Sequence, residues 1–245
     1  MTSGDGRDGA GADRDSGTYL RTEFLERIAH ELRGPAGVTL GALDEMEFAL
    51  GADAEKIKSL LAMARRGTRR VLRTAERLNR TAQLVGREVE WSRAPMDVKN
   101  VLQQAVRDAE LIEARKGITV VLAVPSEPCT VTIDGAWVSA AITELVVNAI
   151  AHARKVVSVA VTGEEWGAMI SVTDDGAGFA GPVLDRFTPP RERRGLGLSL
   201  AIVQDVASAH GGELVVDVKK PDDAGITSHG ATVRLKIPHT TAAAE

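Results

Sequence analysis

Four groups of side chains have types and spacings that can do chemistry. His30 is followed by Glu31, and on a helix Ile28 and Leu32 lie about 200° away from it, which turns the imidazole to solvent. A neutral imidazole is a nucleophile near neutral pH, and a neighbouring carboxylate can take its proton as it attacks. Glu144 and Asn148 stand four apart on one helix face, where two oxygen-bearing side chains can hold a hard, water-rich cation such as Mg2+ against phosphates. Asp174 ends an apolar run and opens Asp174-Asp175-Gly176-Ala177-Gly178. Its carboxylate can accept from an exocyclic amine, while Gly176 and Gly178 let backbone pass close to a flat ring. Gly195-Leu196-Gly197-Leu198 then enters a helix, whose free N–H groups can receive phosphate. Taken singly, each group has a plain alternative: a surface histidine, an exposed Glu and Asn, an Asp-Gly turn, a glycine cap.

The elements that must position these groups follow from periodicity. Residues 1–17 are Gly, Asp, Arg and Ser with little to bury and read as a disordered tail. Leu20, Phe24, Ile28, Leu32, Leu43 and Leu50 then share a helical stripe, interrupted by Gly34-Pro35, where a kink near Arg33 is expected. Gly51-Ala52-Asp53 gives a stop and a new N-cap, and a second stripe runs from Ile57 through Leu60, Ala64 and Leu78 to Val85. Two such helices form an antiparallel hairpin over residues 18–90, and because neither can enclose its own stripe, a homodimeric four-helix bundle is expected. Pro95 marks entry to a second unit, residues 95–240. There the pattern predicts helices over 98–116, 136–153 and 196–209. Strands are predicted over 118–124, 130–133, 156–161, 169–173, 213–218 and 232–237. The fold class is α+β: a helical hairpin followed by an α/β sandwich.

Composition narrows the function. The 245 residues hold 30 basic and 34 acidic side chains, a net charge of −4, so no global field favours nucleic acid. Aromatics at 3% leave few rings for stacking on bases. The arginines of the second helix, among them Arg65, Arg69 and Arg73, read as a solvated face or a docking surface for an acidic partner. The single cysteine, Cys129, rules out an intramolecular disulfide framework and suits a reducing, cytoplasmic setting. No membrane segment or signal peptide is expected.

The run Phe24 to Pro35, with His30-Glu31-Leu32-Arg33-Gly34-Pro35 at its end, resembles the phosphoacceptor box of bacterial sensor histidine kinases. The Asn148 helix, the Asp174-x-Gly176-x-Gly178 loop, Phe187 and the Gly195-x-Gly197-Leu198 helix entry resemble the successive boxes of the GHKL ATP-binding domain, and His210-Gly211-Gly212 its turn into the closing strand. The resemblance spans residues 19–237. It implies that His30 is phosphorylated from ATP with help from Glu31, that Glu144 and Asn148 lie at the nucleotide with Asn148 ligating Mg2+, and that Asp174 binds the adenine amino group. It implies further that Gly176, Gly178, Gly195, Gly197 and Leu198 line the nucleotide, and that a response regulator receiver domain accepts the phosphoryl group. Input would come through the tail, a partner sensor protein, or sequence outside this chain.

Two departures stand out. The family usually has Thr or Asn where this chain has Gly34, and that side chain serves phosphatase activity, so weak phosphatase activity is expected. Only residues 188–194 separate Phe187 from the second glycine box, a short lid that implies modest nucleotide affinity. Two other readings stay open: a GHKL ATPase in which Glu144 activates water, and a histidine phosphotransfer module that no longer binds ATP.

Overall fold

The computed structural model describes residues 32–46, 48, 54–86, 89–113, 115, 117–179, 198–217 and 230–239. The chain divides into two compact units, the first ending at Asn79 and the second beginning at Arg80.

Helix α1 occupies residues 32–46 of the first unit, and α2, Ala54–Gly86, belongs to that unit as far as Asn79 and to the second from Arg80. The described part of α1 is helical through Gly34 and Pro35, and the segment before it lies outside the described residues. The two helices run antiparallel. Glu45 is 3.7 Å from Lys56, while Thr39 sends its hydroxyl to Pro35 O at 2.9 Å and Ala64 O at 3.4 Å, so pairing recedes along one helix as it advances along the other. Ala42, Leu60 and Ala64 are buried between them, the two alanines permitting close approach. Val38, Leu40, Leu43, Leu61 and Leu72 remain exposed.

The second unit orders its elements as β1 (Ala94–Asp97), α3 (Val98–Ile112), β2 (Thr119–Ala123), β3 (Thr130–Ile133) and α4 (Gly135–His152). There follow β4 (Val156–Glu164), β5 (Gly167–Asp174), α5 (Leu198–Ala209), β6 (Glu213–Asp217) and β7 (Ala231–Pro238). Five strands form one sheet in the order β2-β4-β5-β7-β6, with β2 parallel to β4 and the other pairs antiparallel. Alternation sorts the two sheet faces. Val157, Val159, Val161, Ile170, Val172, Val233, Leu235 and Ile237 are buried, while their neighbours Ser171, Thr173, Arg234 and Lys236 are partly exposed. Helices α3, α4 and α5 cover the buried face, with α4 in the middle. α4 is apolar on nearly every side, burying Val138, Ile142, Leu145, Val146 and Ile150, each contributing about 1.5–3 kcal/mol of transfer free energy.

A strand and a helix end differ from the sequence reading. The residues around Pro95, where no strand is predicted, form β1, which pairs antiparallel with β3 from Ala94↔Ile133 to Asp97↔Thr130. In a two-stranded sheet every strand is an edge, so a residue without a backbone donor is tolerated. α3 ends at Ile112, where Glu113 closes it by donating its N–H to Ala109 O, rather than at residue 116.

Candidate functional site

The site is built on α4, the end of β5, and the start of α5. α4 is capped by Asp134, whose carboxylate accepts from Ala136 N and Trp137 N, and is mostly apolar up to its third turn. There Glu144 and Asn148 fall one turn apart, as their spacing predicts, but Glu144 is buried at 5% exposure and Asn148 is half-buried. Ser199, near the start of α5 and itself buried, joins them. Its hydroxyl donates to Glu144 Oε2 at 2.6 Å and accepts from Asn148 Nδ2 at 2.9 Å. Arg80, the first residue of this unit, holds Nη1 4.0 Å from Glu144 Oε1. Among the described residues no hydrogen-bond donor reaches Asn148 Oδ1.

The alternation that buries Ile170 and Val172 also turns Asp174 toward the helix-covered face, where its side chain is 8% exposed. Burial raises the Asp174 carboxyl above its ordinary range; the Gly176 N–H, the charge of His152 and the Ala231 N–H pull it down, and Asp175 pushes it up. The Gly176 N–H reaches Oδ1 at 2.8 Å. A side chain at Gly176 would put its Cβ 2.3 Å from His152 O, so only glycine lets the loop pass the end of α4 this closely. Gly178, at φ +76, follows in the same loop. Asp175 is turned the other way, accepting from Arg154 N at 2.7 Å and Lys155 N at 3.0 Å, contacts that hold its carboxyl below the usual range. Arg154 and Lys155 thus contribute backbone donors to this loop. Arg115 Nη1 closes the C-terminal end of α4 on Ala151 O at 2.9 Å and Ala153 O at 3.0 Å.

The structure therefore brings Glu144, Asn148, Asp174, Gly176, Gly178 and Leu198 onto neighbouring elements of one unit, Leu198 as a buried residue opening α5. His30, Glu31, Phe187, Gly195, Gly197 and the 188–194 lid lie outside the described residues. Two residues escaped the sequence reading. Ser199 sat unremarked inside the Gly195-x-Gly197 helix entry. Gly230 precedes β7 at φ +116, and a Cβ there would lie 2.3 Å from Asp174 O. Glycine immediately before a strand was the available signal, and it is a common one.

As to a metal, no cluster of three or more His, Cys, Asp or Glu is arranged for one among the described residues. A lone outward amide oxygen at Asn148 fits Mg2+ better than a cage would, because this ion keeps several waters and takes its remaining ligands from phosphates.

Residues 133–241 match the family of histidine kinase-, DNA gyrase B- and HSP90-like ATPases. The chain is 29% identical over 206 residues to the probable sensor histidine kinase TcrY of Mycobacterium tuberculosis, covering 79% of this chain and 42% of that protein. The histidine kinase AdeS of Acinetobacter baumannii shares the fold, with a TM-score of 0.62 at 21% identity over 86% of this chain and 98% of that one. Full-length ShkA, solved in complex with AMPPNP, gives a TM-score of 0.59 at 25% identity over 93% of this chain and 47% of that one. The chain spans between 15% and 54% of the length of the curated relatives it matches. Residues 133–241 thus carry a GHKL-type ATP-binding domain, and over most of its length the chain is similar to sensor histidine kinases.

Proposed function

We propose that the chain is an ATP-dependent protein-histidine kinase that phosphorylates His30 and passes the phosphoryl group to an aspartate of a response regulator. The observation that carries the reading is Asp174. It is a carboxylate buried at the end of a core strand and held by the Gly176 N–H, on the helix-covered face that also carries the Glu144–Ser199–Asn148 cluster. A buried carboxylate is costly unless something uses it. An adenine amino group offers the donor it can accept, and Gly176 and Gly178 leave room for the ring.

In the transfer step the ring nitrogen of His30 forms a bond to the γ-phosphorus of ATP while the bond from that phosphorus to the bridging oxygen breaks, leaving ADP. Glu31 takes the imidazole proton. Mg2+ held through Asn148 Oδ1 would neutralise phosphate charge, and the protein's own work is mainly positioning. The exposed apolar side chains of the hairpin, Val38, Leu40, Leu43, Leu61 and Leu72, support a second copy as the partner of this face, completing a four-helix bundle. Gly34 offers no side chain to orient water, which supports weak phosphatase activity. Among the described residues no helix is long and apolar enough to cross a membrane.

The test is incubation of the chain and its His30→Ala variant with Mg2+ and γ-labelled ATP. Acid-labile, alkali-stable label on the wild type alone supports the kinase. ATP turnover unaffected by His30→Ala would instead identify a hydrolase, and absence of ATP binding a phosphotransfer module. Light scattering that finds only monomer would remove the bundle from the proposal.

A further inference from the structure

The cluster of Glu144, Ser199 and Asn148 has a direction. A serine hydroxyl carries one hydrogen, and at 2.6 Å from Glu144 Oε2 that hydrogen is committed to the carboxylate. Ser199 Oγ is then an acceptor toward Asn148, 2.9 Å away, so the amide must present its NH2 and not its oxygen. The flip of the amide is set by this logic, with the charge of Glu144 at the end of the chain of bonds and Arg80 on its other oxygen. The consequence is that Oδ1 of Asn148 faces away from the cluster, without a donor among the described residues.

We infer that Ser199 is a positioning residue: by relaying the Glu144 charge to the Asn148 amide, it holds Asn148 Oδ1 outward as the protein's oxygen donor to the divalent cation that accompanies the nucleotide. This rests on the kinase reading above. Without the hydroxyl, Asn148 loses the acceptor that fixes its flip, and both amide orientations become populated. The cation then meets NH2 in part of the population, while the adenine end of the site, built on Asp174 and Gly176, is untouched. Groups that orient a metal ligand in this way typically govern affinity by 10–100-fold.

The experiment measures ADP binding by the full chain, first in EDTA and then as Mg2+ is titrated, for wild type, Ser199→Ala, Ser199→Cys and Ser199→Thr. Thermal melting without nucleotide establishes that each variant is folded. Should Ser199→Ala fail to fold, Ser199→Cys carries the same comparison, since a thiol is a weak donor and acceptor of similar size. The expected result is unchanged affinity in EDTA and a Mg2+ requirement raised about 10-fold or more for Ala and Cys, restored by Thr, which keeps the hydroxyl. A Mg2+ requirement equal to wild type in the folded Ala or Cys variant overturns the proposal alone. So does a loss of the same factor with and without Mg2+. A wild type whose ADP binding ignores Mg2+ overturns the reading beneath it and this proposal together.

Discussion

At the N-terminal end of α4 the buried polar side chains are answered. Asp134 Oδ1 accepts from Ala136 N and Trp137 N at 3.1 Å each, and Oδ2 accepts from Ser92 N at 2.9 Å. The Asp134 N–H in turn donates to His210 Nε2 at 3.0 Å, which leaves the hydrogen of His210 on Nδ1, donated to Val206 O at 2.7 Å. Trp91 packs edge-on against His210 with centroids 5.2 Å apart and lies 5.6 Å from Trp137, while Arg93 reaches Ala209 O. Toward the C-terminal end the cluster is open: Asn148 Oδ1 has no donor among the described residues, and the Asp174 carboxyl is raised by burial that its hydrogen bonds only partly offset. The same helix therefore carries a closed network that holds strand, linker and two helices together, and an open one with capacity left for a ligand. Buried polarity alone does not mark a site; unfilled capacity does.

The strongest break of this comparison is Asp134→Ala. It removes the cap of α4 and the acceptor of Ser92 N, and the expected loss is about 2–3 kcal/mol of unfolding free energy. Urea unfolding of the chain measures it, and ADP affinity of the folded fraction should not change. If affinity fell with stability, the two ends would not be separable. Asp174→Asn is the converse. Asn still accepts from the Gly176 N–H, but its amide hydrogens oppose the adenine amine, so ADP affinity should fall about 30-fold or more, near 2 kcal/mol. Because the variant also relieves a buried charge, the melting temperature should hold or rise. A melting temperature that drops in step with affinity would make Asp174 a structural residue.

The closed end was the harder to read from sequence. Asp134, Ser92 and His210 come from three places in the chain, His210 lying 76 positions from the residue it contacts, and no local pattern announces such a meeting. Ser199 was hidden for the same reason, 51 and 55 positions from Asn148 and Glu144. By contrast, period-two alternation along β5 carries Asp174 to the core face, and the four-residue spacing of Glu144 and Asn148 sets them on one side of α4, because both follow from backbone geometry. β1 was missed because its four residues include Pro95, which reads as a break unless its partner strand is known. The depth of Glu144 was likewise out of reach, since its partner Ser199 lies on α5, 55 positions away.

Arg115 sharpens the contrast from within the open end. Its guanidinium bonds Ala151 O and Ala153 O, beside the Asp174–Gly178 loop, yet the contact is a helix cap. Arg115→Ala should cost about 1 kcal/mol of stability, read by urea unfolding, while ADP affinity stays at the wild-type value. A selective loss of affinity would move Arg115 into the site.

The smallest effect, and the most selective for the closed end, is the pH dependence that His210 imposes. Burial pushes the imidazole below its ordinary value of 6.5, Arg93 adds to the depression, and the Val206 carbonyl and Asp134 charge oppose it. Protonation would place a hydrogen on Nε2 facing the Asp134 N–H, so the folded chain resists it while the unfolded chain does not. The unfolded state then binds more protons as pH falls below 6.5, and stability is lost over that interval down to the depressed folded value, with the full contribution present above it. His210→Gln supplies the reference, since its amide can accept from Asp134 N–H and donate to Val206 O without titrating. The difference in melting temperature between wild type and His210→Gln should shift against the wild type between about pH 7.5 and about pH 5.5. A difference that stays flat across that interval would mean that the closed network admits the charged ring, and that the two ends of α4 differ less than their hydrogen bonds indicate.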